Sequence, residues 1–313
     1  MLKKALITGA AGFIGSNLTH KLLDKNIEVL AIDDFSSGKI NNIPKKHKNL
    51  SLNKMSILDE NLEKLIMDFN PDITYHLAAQ ISVSSSTKNP LYDAKINIMG
   101  SINLLEIIKK LDQKHKFIYV TSGGTVYGEP KNLPAPENNP IEPLSQYGAS
   151  KYSIENYLKI YNKLYQTKYT ILRLGNVYGP KQDPHGEAGV VAIFIKAMLT
   201  QKHFEIYGDG KNQRDYIYVD DVINAIMLAA ESNEFGPFNI GTGIGTSTNK
   251  IFSIISKYCE FSDLPIYSKP RPGDINKIIL DINKAKKEIN WFPKFNIDEG
   301  IKRTVDWFRK NVD

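Results

Sequence analysis

The segment Gly9-Ala-Ala-Gly12-Phe-Ile-Gly15 follows the apolar run Ala5-Leu-Ile-Thr8 and opens a helical pattern, and this placement constrains the fold more than any other feature. Each glycine has its own task there. Gly9 permits the tight turn, Gly12 lets the backbone approach a diphosphate, and Gly15 allows helix and strand to pack closely. The helix N-terminus that follows offers N–H groups and a positive dipole to phosphates, and Phe13 and Ile14 of the loop are expected to border the cofactor. Three glycines alone are turn chemistry. Between a strand and a helix they predict dinucleotide binding on a parallel α/β sheet.

The rest of the first half keeps the same alternation. A helix is predicted over 16–25 and a second strand over Glu28–Asp33, and runs at 73–77, 117–121 and 170–174 continue the strand series. Helical patterns over 96–110 and 151–165 separate them. The predicted class is therefore α/β: a Rossmann-type doubly wound parallel sheet over 1–175, with a smaller C-terminal α/β unit for the substrate over 176–313. Part of 214–240 is expected to return to the first unit, because 220–232 reads as a helix. Beyond Gly175 the Gly- and Pro-rich stretches 178–186 and 269–274 suggest a substrate lid built from loops. Asp33 ends the second strand, where a carboxylate accepts hydrogen bonds from a ribose diol and repels a 2′-phosphate, so NAD is expected rather than NADP. Its neighbour Asp34 reads as a solvated loop residue.

With 313 residues the chain can bury a sizeable core. Its 40 basic and 34 acidic residues give a net charge of +6, and the lysines are scattered rather than blocked, which argues for solubility and against a nucleic-acid track. The single cysteine, Cys259, excludes an intramolecular disulfide framework, and no His-Glu-x-x-His, cysteine pair or spaced acid cluster suggests a metal. No apolar stretch approaches the roughly 20 residues of a membrane span. A cytoplasmic protein with no membrane partner is expected.

Tyr147 and Lys151, in Ser145-Gln-Tyr-Gly-Ala-Ser-Lys151, stand one helical turn apart. A tyrosine of pKa about 10 is a poor base at neutral pH, but a neighbouring ammonium favours its phenolate. Alone, such a pair is an exposed helix contact. Combined with the glycine loop it points to redox chemistry at an alcohol.

These two motifs resemble those of the extended short-chain dehydrogenase/reductases, in their NAD-dependent epimerase/dehydratase group, and within it the chain is most similar to UDP-glucose 4-epimerases. The resemblance continues through His76-Leu-Ala-Ala-Gln80, Ser122-Gly-Gly-Thr-Val-Tyr-Gly128, Arg173-Leu-Gly-Asn-Val-Tyr-Gly-Pro180, Arg214-Asp-Tyr-Ile-Tyr-Val-Asp-Asp221, Asn239-Ile-Gly-Thr-Gly243 and Arg271-Pro-Gly-Asp274. It implies Tyr147 as the base, Lys151 as partner of the nicotinamide ribose and of the phenolate, and Ser122 as the hydroxyl that bonds the reacting oxygen. In the commoner form that hydroxyl stands where this chain has Gly123, which leaves Thr125 as the alternative. Leu77, Ala78 and Ala79 are implied to border the cofactor. Ser56 replaces an aspartate that in relatives contacts the adenine amine, with Ile57 still offering its backbone, so somewhat weaker cofactor binding is expected. Asn176, Arg214, Arg271 and Asp274 are implied to hold the nucleotide of a UDP-sugar. A diphosphate suits guanidinium forks and a uridine ribose suits a carboxylate. The plainer alternatives are an Arg214–Asp215 pair and a solvated Arg271. His76 is expected to pack beside the cofactor, and His185 to touch substrate or fix its loop.

The implied activity is inversion at C4 of UDP-glucose and UDP-galactose through a 4-keto sugar, with UDP-N-acetylglucosamine or UDP-glucuronate 4-epimerisation as alternatives. A 4,6-dehydratase or a decarboxylase needs an acidic residue near the motif's Tyr127, where this chain has Gly124 and Thr125. A non-catalytic NAD-binding regulator could dispense with the Tyr/Lys pair, and both residues are present. The resemblance also implies a homodimer, paired through the helices over 96–110 and 151–165. Finally, it implies that Ile278 borders the sugar's 2-substituent.

Overall fold

The computed structural model describes residues 2–112, 114–185, 189–270 and 275–311. Strands β1 (Lys4–Thr8), β2 (Glu28–Asp33), β3 (Leu50–Lys54), β4 (Ile73–His76), β5 (Lys116–Ser122) and β6 (Lys168–Leu174) belong to one large sheet. Strands β7 (Asn176–Tyr178), β8 (Ile206–Tyr207) and β9 (Gln213–Tyr218) lie outside it, and β10 (Phe238–Ile240) rejoins it. Strands β11 (Gly245–Ser247), β12 (Tyr267–Ser268) and β13 (Lys277–Ile278) again lie outside.

The order in the large sheet is β10-β6-β5-β4-β1-β2-β3, and every pairing is parallel. Its inner strands are apolar on successive residues because helices cover both faces. On one face Ala5, Ile7, Val29 and Ala31 pack against Leu18 and Leu22 of the helix Phe13–Asp24 and Val222 and Ile226 of the helix Val219–Glu231. On the other, Leu6, Leu30, Phe117 and Tyr119 meet Leu104, Ile108, Ile154 and Leu158. The chain runs outward from β1 through β2 to β3, then crosses back to β4 on the other side of β1. A crevice therefore opens at the carboxyl ends of β1 and β4, which is where a doubly wound sheet binds its ligand. This is the expected Rossmann-type class.

Several boundaries differ from the sequence-based expectation, each for a local reason. The first helix begins at Phe13 rather than 16, because Gly12 is extended (φ −70°, ψ 176°) and serves as its N-cap. Ser145 caps the helix Gln146–Tyr165 by accepting a hydrogen bond from the Gly148 N–H at 3.1 Å, so this helix starts well before 151 and Tyr147 stands in its first turn. The helix expected over 96–110 is a π-helical turn, Lys95–Gly100, followed by an α-helix, Ser101–Ile108. Strand β3 had no sequence signal of its own: Leu50-Ser-Leu-Asn-Lys54 is polar because it is an edge strand paired only with β2.

The later segment is more regular than a set of lid loops. Strand β9 lies between β11, antiparallel, and β13, parallel, and its last residues also pair parallel with β7, while β8 and β12 form a separate parallel pair. Phe194 and Ile195 of the helix Val190–Leu199, Ile251 and Ile255 of Thr248–Cys259, and Ile301 and Phe308 of Ile297–Asn311 form a core of their own. No helix among the described residues is long and apolar enough to cross a membrane.

One buried ion pair joins these parts. Arg173, on β6, donates from Nε to Glu155 Oε1 at 3.0 Å and from Nη2 to Oε2 at 2.6 Å, with the two side chains 3% and 0% exposed. Its Nη1 donates to the Tyr127 hydroxyl at 2.8 Å, which in turn donates to Asn239 Oδ1 on β10 at 2.7 Å. A two-pronged pair of this kind is favourable only while both partners are present. Glu155→Ala should leave the guanidinium buried without its counter-charge and lower stability by roughly 3–5 kcal/mol. The expected measurement is a lower urea midpoint at an unchanged m-value.

Candidate active site

A cleft of roughly 480 Å³ lies at the carboxyl ends of β1, β2, β4 and β5. Gly9, Gly12, Phe13, Ile14 and Gly15 form one wall, and Asp33, Ser56, Ile57, Leu77, Ala78 and Ala79 continue it. The glycines are there for steric reasons. Gly9 has φ +70°, and a Cβ on it would stand 2.6 Å from the Ala78 nitrogen. A Cβ on Gly15 would come within 2.1 Å of the Gly9 carbonyl oxygen. The first substitution would push the turn off the Leu77–Ala78 backbone, and the second would push the helix Phe13–Asp24 off the turn.

Asp33 accepts from the Ala11 N–H through Oδ2 and from the Phe35 N–H through Oδ1, both at 2.8 Å. Burial pushes its carboxyl above the usual range, against these bonds. Each oxygen keeps a lone pair for a ribose hydroxyl. Ser56 Oγ accepts from the Leu58 N–H at 3.2 Å, and the Ile57 carbonyl accepts from Asn103 Nδ2 at 2.8 Å.

Tyr147, Lys151 and Ser122 line the far side of the same cleft. Tyr147 is half-buried and Lys151 is buried. The expectation that Lys151 holds Tyr147 toward phenolate is not what the protein alone shows. Burial, with the Asp93 charge behind it, pushes the Tyr147 hydroxyl up to about 12. Burial also pushes the Lys151 ammonium down to about 7, opposed by Asp93 and Glu155. The ammonium rests over the Tyr119 ring, 4.4 Å from its centre. Desolvation therefore outweighs the pairing of the two charges.

Behind the pair stands a polar network that sequence reasoning missed. Asp93 Oδ1, in a 1% exposed residue, accepts from Gln80 Nε2 at 2.9 Å and from Asn97 Nδ2 at 3.0 Å. Asn97 Oδ1 accepts from the Gln80 N–H at 2.8 Å, and Ser86 Oγ accepts from the Tyr147 N–H at 3.1 Å. The available signal was Asn97 itself, a polar side chain on the inward phase of an apolar helix; the π-helical turn that inserts it has no signature in residue types. His76 does not reach the cleft. Its Nδ1 is bonded to Thr8 Oγ1 at 2.7 Å and its Nε2 to Ser101 Oγ at 2.8 Å, and complete burial pushes it down to about 3, so it is neutral.

The residues expected to hold a nucleotide-sugar are spread more widely. Asn176 opens β7 next to the cleft-lining Gly175 and Val177. A Cβ on Gly124 would lie 3.6 Å from Asn176 Oδ1 and 3.7 Å from Ser122 Oγ, so these two polar atoms flank one open position. Thr125 does not line the cleft, and its hydroxyl turns back to the Ser122 carbonyl at 3.4 Å. Arg214 lies on β9, outside the cleft. Asp215 is not its partner: the carboxylate accepts from the Thr242 and Gly243 N–H groups, the Thr242 hydroxyl and the Leu280 N–H. Arg271 and Asp274 lie outside the described residues. Ile278, 1% exposed, packs with Val126, Tyr127, Ala135 and Leu280 and does not line the cleft. A second cavity of roughly 660 Å³ is bordered by Tyr207, Asp209, Asn212, Tyr267 and Asn276, around the β8–β12 pair.

The cleft fits an extended dinucleotide. Thr121 and Gln182 line it, and Thr121 Oγ1 and Gln182 Oε1 are buried there without a hydrogen-bond partner among the described residues. No set of three or more His, Cys, Asp or Glu side chains among those residues is arranged to hold a metal ion.

Comparison with known proteins agrees with this geometry. The sequence profile of the GDP-mannose 4,6 dehydratase family matches residues 6–304. A putative UDP-glucose 4-epimerase of Methanocaldococcus jannaschii is 46% identical over 307 residues, 98% of each chain. The crystal structure of a Thermotoga maritima UDP-glucose 4-epimerase with UDP-glucose superposes with a TM-score of 0.95 at 45% identity, covering 99% of this chain and 100% of the other. A Thermus thermophilus UDP-glucose 4-epimerase in complex with NAD superposes with a TM-score of 0.91 at 38% identity, again over 99% and 100% of the two chains. Fold, glycine loop, Tyr/Lys pair and full-length similarity agree: the chain belongs to the extended short-chain dehydrogenase/reductases, in the family that the GDP-mannose 4,6 dehydratase profile describes.

Proposed function

We propose that this chain is an NAD-dependent nucleotide-sugar 4-epimerase acting on UDP-glucose and UDP-galactose. The observation that carries the reading is the convergence of Tyr147, Lys151 and Ser122 on the cleft of the glycine loop, in a chain that aligns end to end with enzymes named for this reaction. The wall from Gly9 to Gly15, with Asp33, Ser56 and Leu77 to Ala79, holds NAD. When bound, NAD supplies hydride chemistry at the sugar C4 and a positive ring that favours the Tyr147 phenolate. Tyr147 takes the proton of the 4-hydroxyl and later returns it. Lys151 supports the phenolate and bonds the cofactor ribose, and Ser122 orients the 4-oxygen. Asn176 and Arg214 hold the UDP diphosphate, and the cavity around Tyr207 and Tyr267 takes the uridine. The space beside Ser122 and Asn176 is left by Gly124, which brings no carboxylate there to expel water from the sugar. Net oxidation is zero, so the cofactor stays in place. The lone Cys259 suits a reducing, cytoplasmic setting.

The active species is a homodimer. Tyr157, Ile160 and Leu164 form an exposed apolar stripe at helical spacing on Gln146–Tyr165, and Leu164 is 63% exposed. Met99, 58% exposed, stands on the π-helical turn Lys95–Gly100 that this helix packs against. A stripe of this kind on two neighbouring elements matches the pairing of helices across a two-fold axis.

Purified protein given a panel of UDP-sugars should equilibrate UDP-glucose with UDP-galactose, read by proton NMR, and should release NAD(H) on denaturation. Conversion confined to N-acetylated or uronic sugars would reassign the substrate, and release of NADP(H) would remove the role of Asp33. Tyr147→Phe should lower turnover on the order of 10²- to 10⁴-fold. Lys151→Met should also lower turnover, yet raise the melting temperature by roughly 2–4 °C, because it removes an ammonium that burial disfavours. Calorimetry beside the kinetic assay separates the two effects. Light scattering should give twice the chain mass at micromolar concentration, and Ile160→Glu with Leu164→Glu should halve it.

A further inference from the structure

Residues 179–185, which follow β7, cross the mouth of the cofactor cleft. Lys181, Gln182, Asp183 and His185 line it together with the glycine loop. The crossing is anchored on the helix Phe13–Asp24 one turn from its start, since Asn17 Nδ2 donates both to the Phe13 carbonyl at 2.9 Å and to the Pro180 carbonyl at 3.1 Å. Lys181 therefore stands next to a residue tied to that helix N-terminus.

Lys181 is unusual in two respects. Its backbone is left-handed, at φ 70°, a conformation that a residue with a Cβ adopts at a cost and that gathers at ligand clamps. Its ammonium is partly buried, donating to the Asn42 carbonyl at 3.2 Å, and burial alone pushes it down to about 8. The neighbouring carboxylate does not relieve it, because Asp183 Oδ1 bonds Lys39 Nζ at 2.9 Å. Of the lysines on the cleft, Lys39 thus has a carboxylate partner and Lys151 belongs to the Tyr147 pair. The glycine loop offers only neutral N–H groups, and the first turn of its helix carries no acidic residue; the helix's own basic residue in the last turn is Lys21. A diphosphate entering the cleft would meet one lysine that lacks a counter-charge among the described residues.

We infer that Lys181 is a cofactor-binding residue, whose ammonium completes, with the N-terminus of the helix Phe13–Asp24, the site for the diphosphate of the dinucleotide. This rests on the reading of the cleft as an NAD site. A UDP-sugar also carries a diphosphate, so the test must separate the two.

The wild type, Lys181→Met, Lys181→Arg and Asp183→Asn are purified, and bound NAD(H) per chain is followed during dialysis by absorbance after acid release. UDP affinity is measured on the NAD-loaded proteins by calorimetry. Lys181→Met should lose NAD at least about tenfold faster, the loss of one charge-assisted bond, while Lys181→Arg and Asp183→Asn stay within about twofold of wild type. UDP affinity should be unchanged in all four. Equal retention in Lys181→Met overturns the inference. So does equal loss in Asp183→Asn, which would assign retention to closure of the crossing segment, and so does a defect confined to UDP. A wild type that never carries NAD would instead remove the reading beneath it.

Discussion

The pair Arg173–Glu155 is the interaction on which the arrangement of the site depends. Glu155 lies on the helix Gln146–Tyr165, one turn beyond Lys151, and Arg173 lies on β6, so the pair fixes the helix that carries Tyr147 and Lys151 to the sheet. The same guanidinium bonds Tyr127, and Tyr127 bonds Asn239 on the returning strand β10. Asn239 Nδ2 then donates to the Ala135 and Asp281 carbonyls. One buried charge thereby ties the active helix, the segment after Ser122 and the chain's return from its second core. A hydrophobic substitute of equal volume could match its energy, but could not hold Glu155, Tyr127 and the Glu137 carbonyl at once.

Desolvation dominates the electrostatics of the cleft. Tyr147 is pushed up and Lys151 down by the same cause, so neither charge is favoured by burial. Asp93 opposes the phenolate and supports the ammonium, and it is held in place by Gln80 and Asn97. The protein alone keeps Tyr147 as a phenol. In the proposed reaction, positive charge brought by the cofactor would offset this burial and favour the Tyr147 phenolate.

Much of the fold was legible because the parallel sheet writes itself as apolar runs. Strand β2 was read to the residue, since Glu28 and Asp33 bracket a wholly apolar Val-Leu-Ala-Ile. The glycine loop was legible in its chemistry because Gly9 and Gly15 admit no Cβ, a steric demand that shows as residue type. Strand β3 was illegible, being a polar edge strand, and so was the second core, whose strands are too short to show a period. Of the proposed site, Tyr147, Lys151 and Ser122, which line one cleft, were legible as motifs. Asp93 was not, because its part is set by a π-helical turn and by contacts to Gln80, far from it in the sequence. Ile278 illustrates a different limit. Its spacing from Arg271 says nothing of whether the side chain faces a ligand or, as here, the cluster around Tyr127.

The segment from β7 to His185 links the two halves of the chemistry. Asn176 stands at its start, beside Ser122, and Lys181 five residues on, beside the helix of the glycine loop. Strand β7 itself pairs with β9, the strand that carries Arg214. The groups assigned to sugar, cofactor and UDP therefore share one short stretch of backbone and its partner strand. In a reaction without net oxidation, holding the cofactor permanently loses nothing, because no exchange with solution is required. Holding the sugar permanently would stop turnover. A left-handed residue at 181, where β7 has ended, turns the chain over the cleft, so that one segment carries the proposed cofactor contact Lys181 at one end and the proposed UDP contact Asn176 at the other.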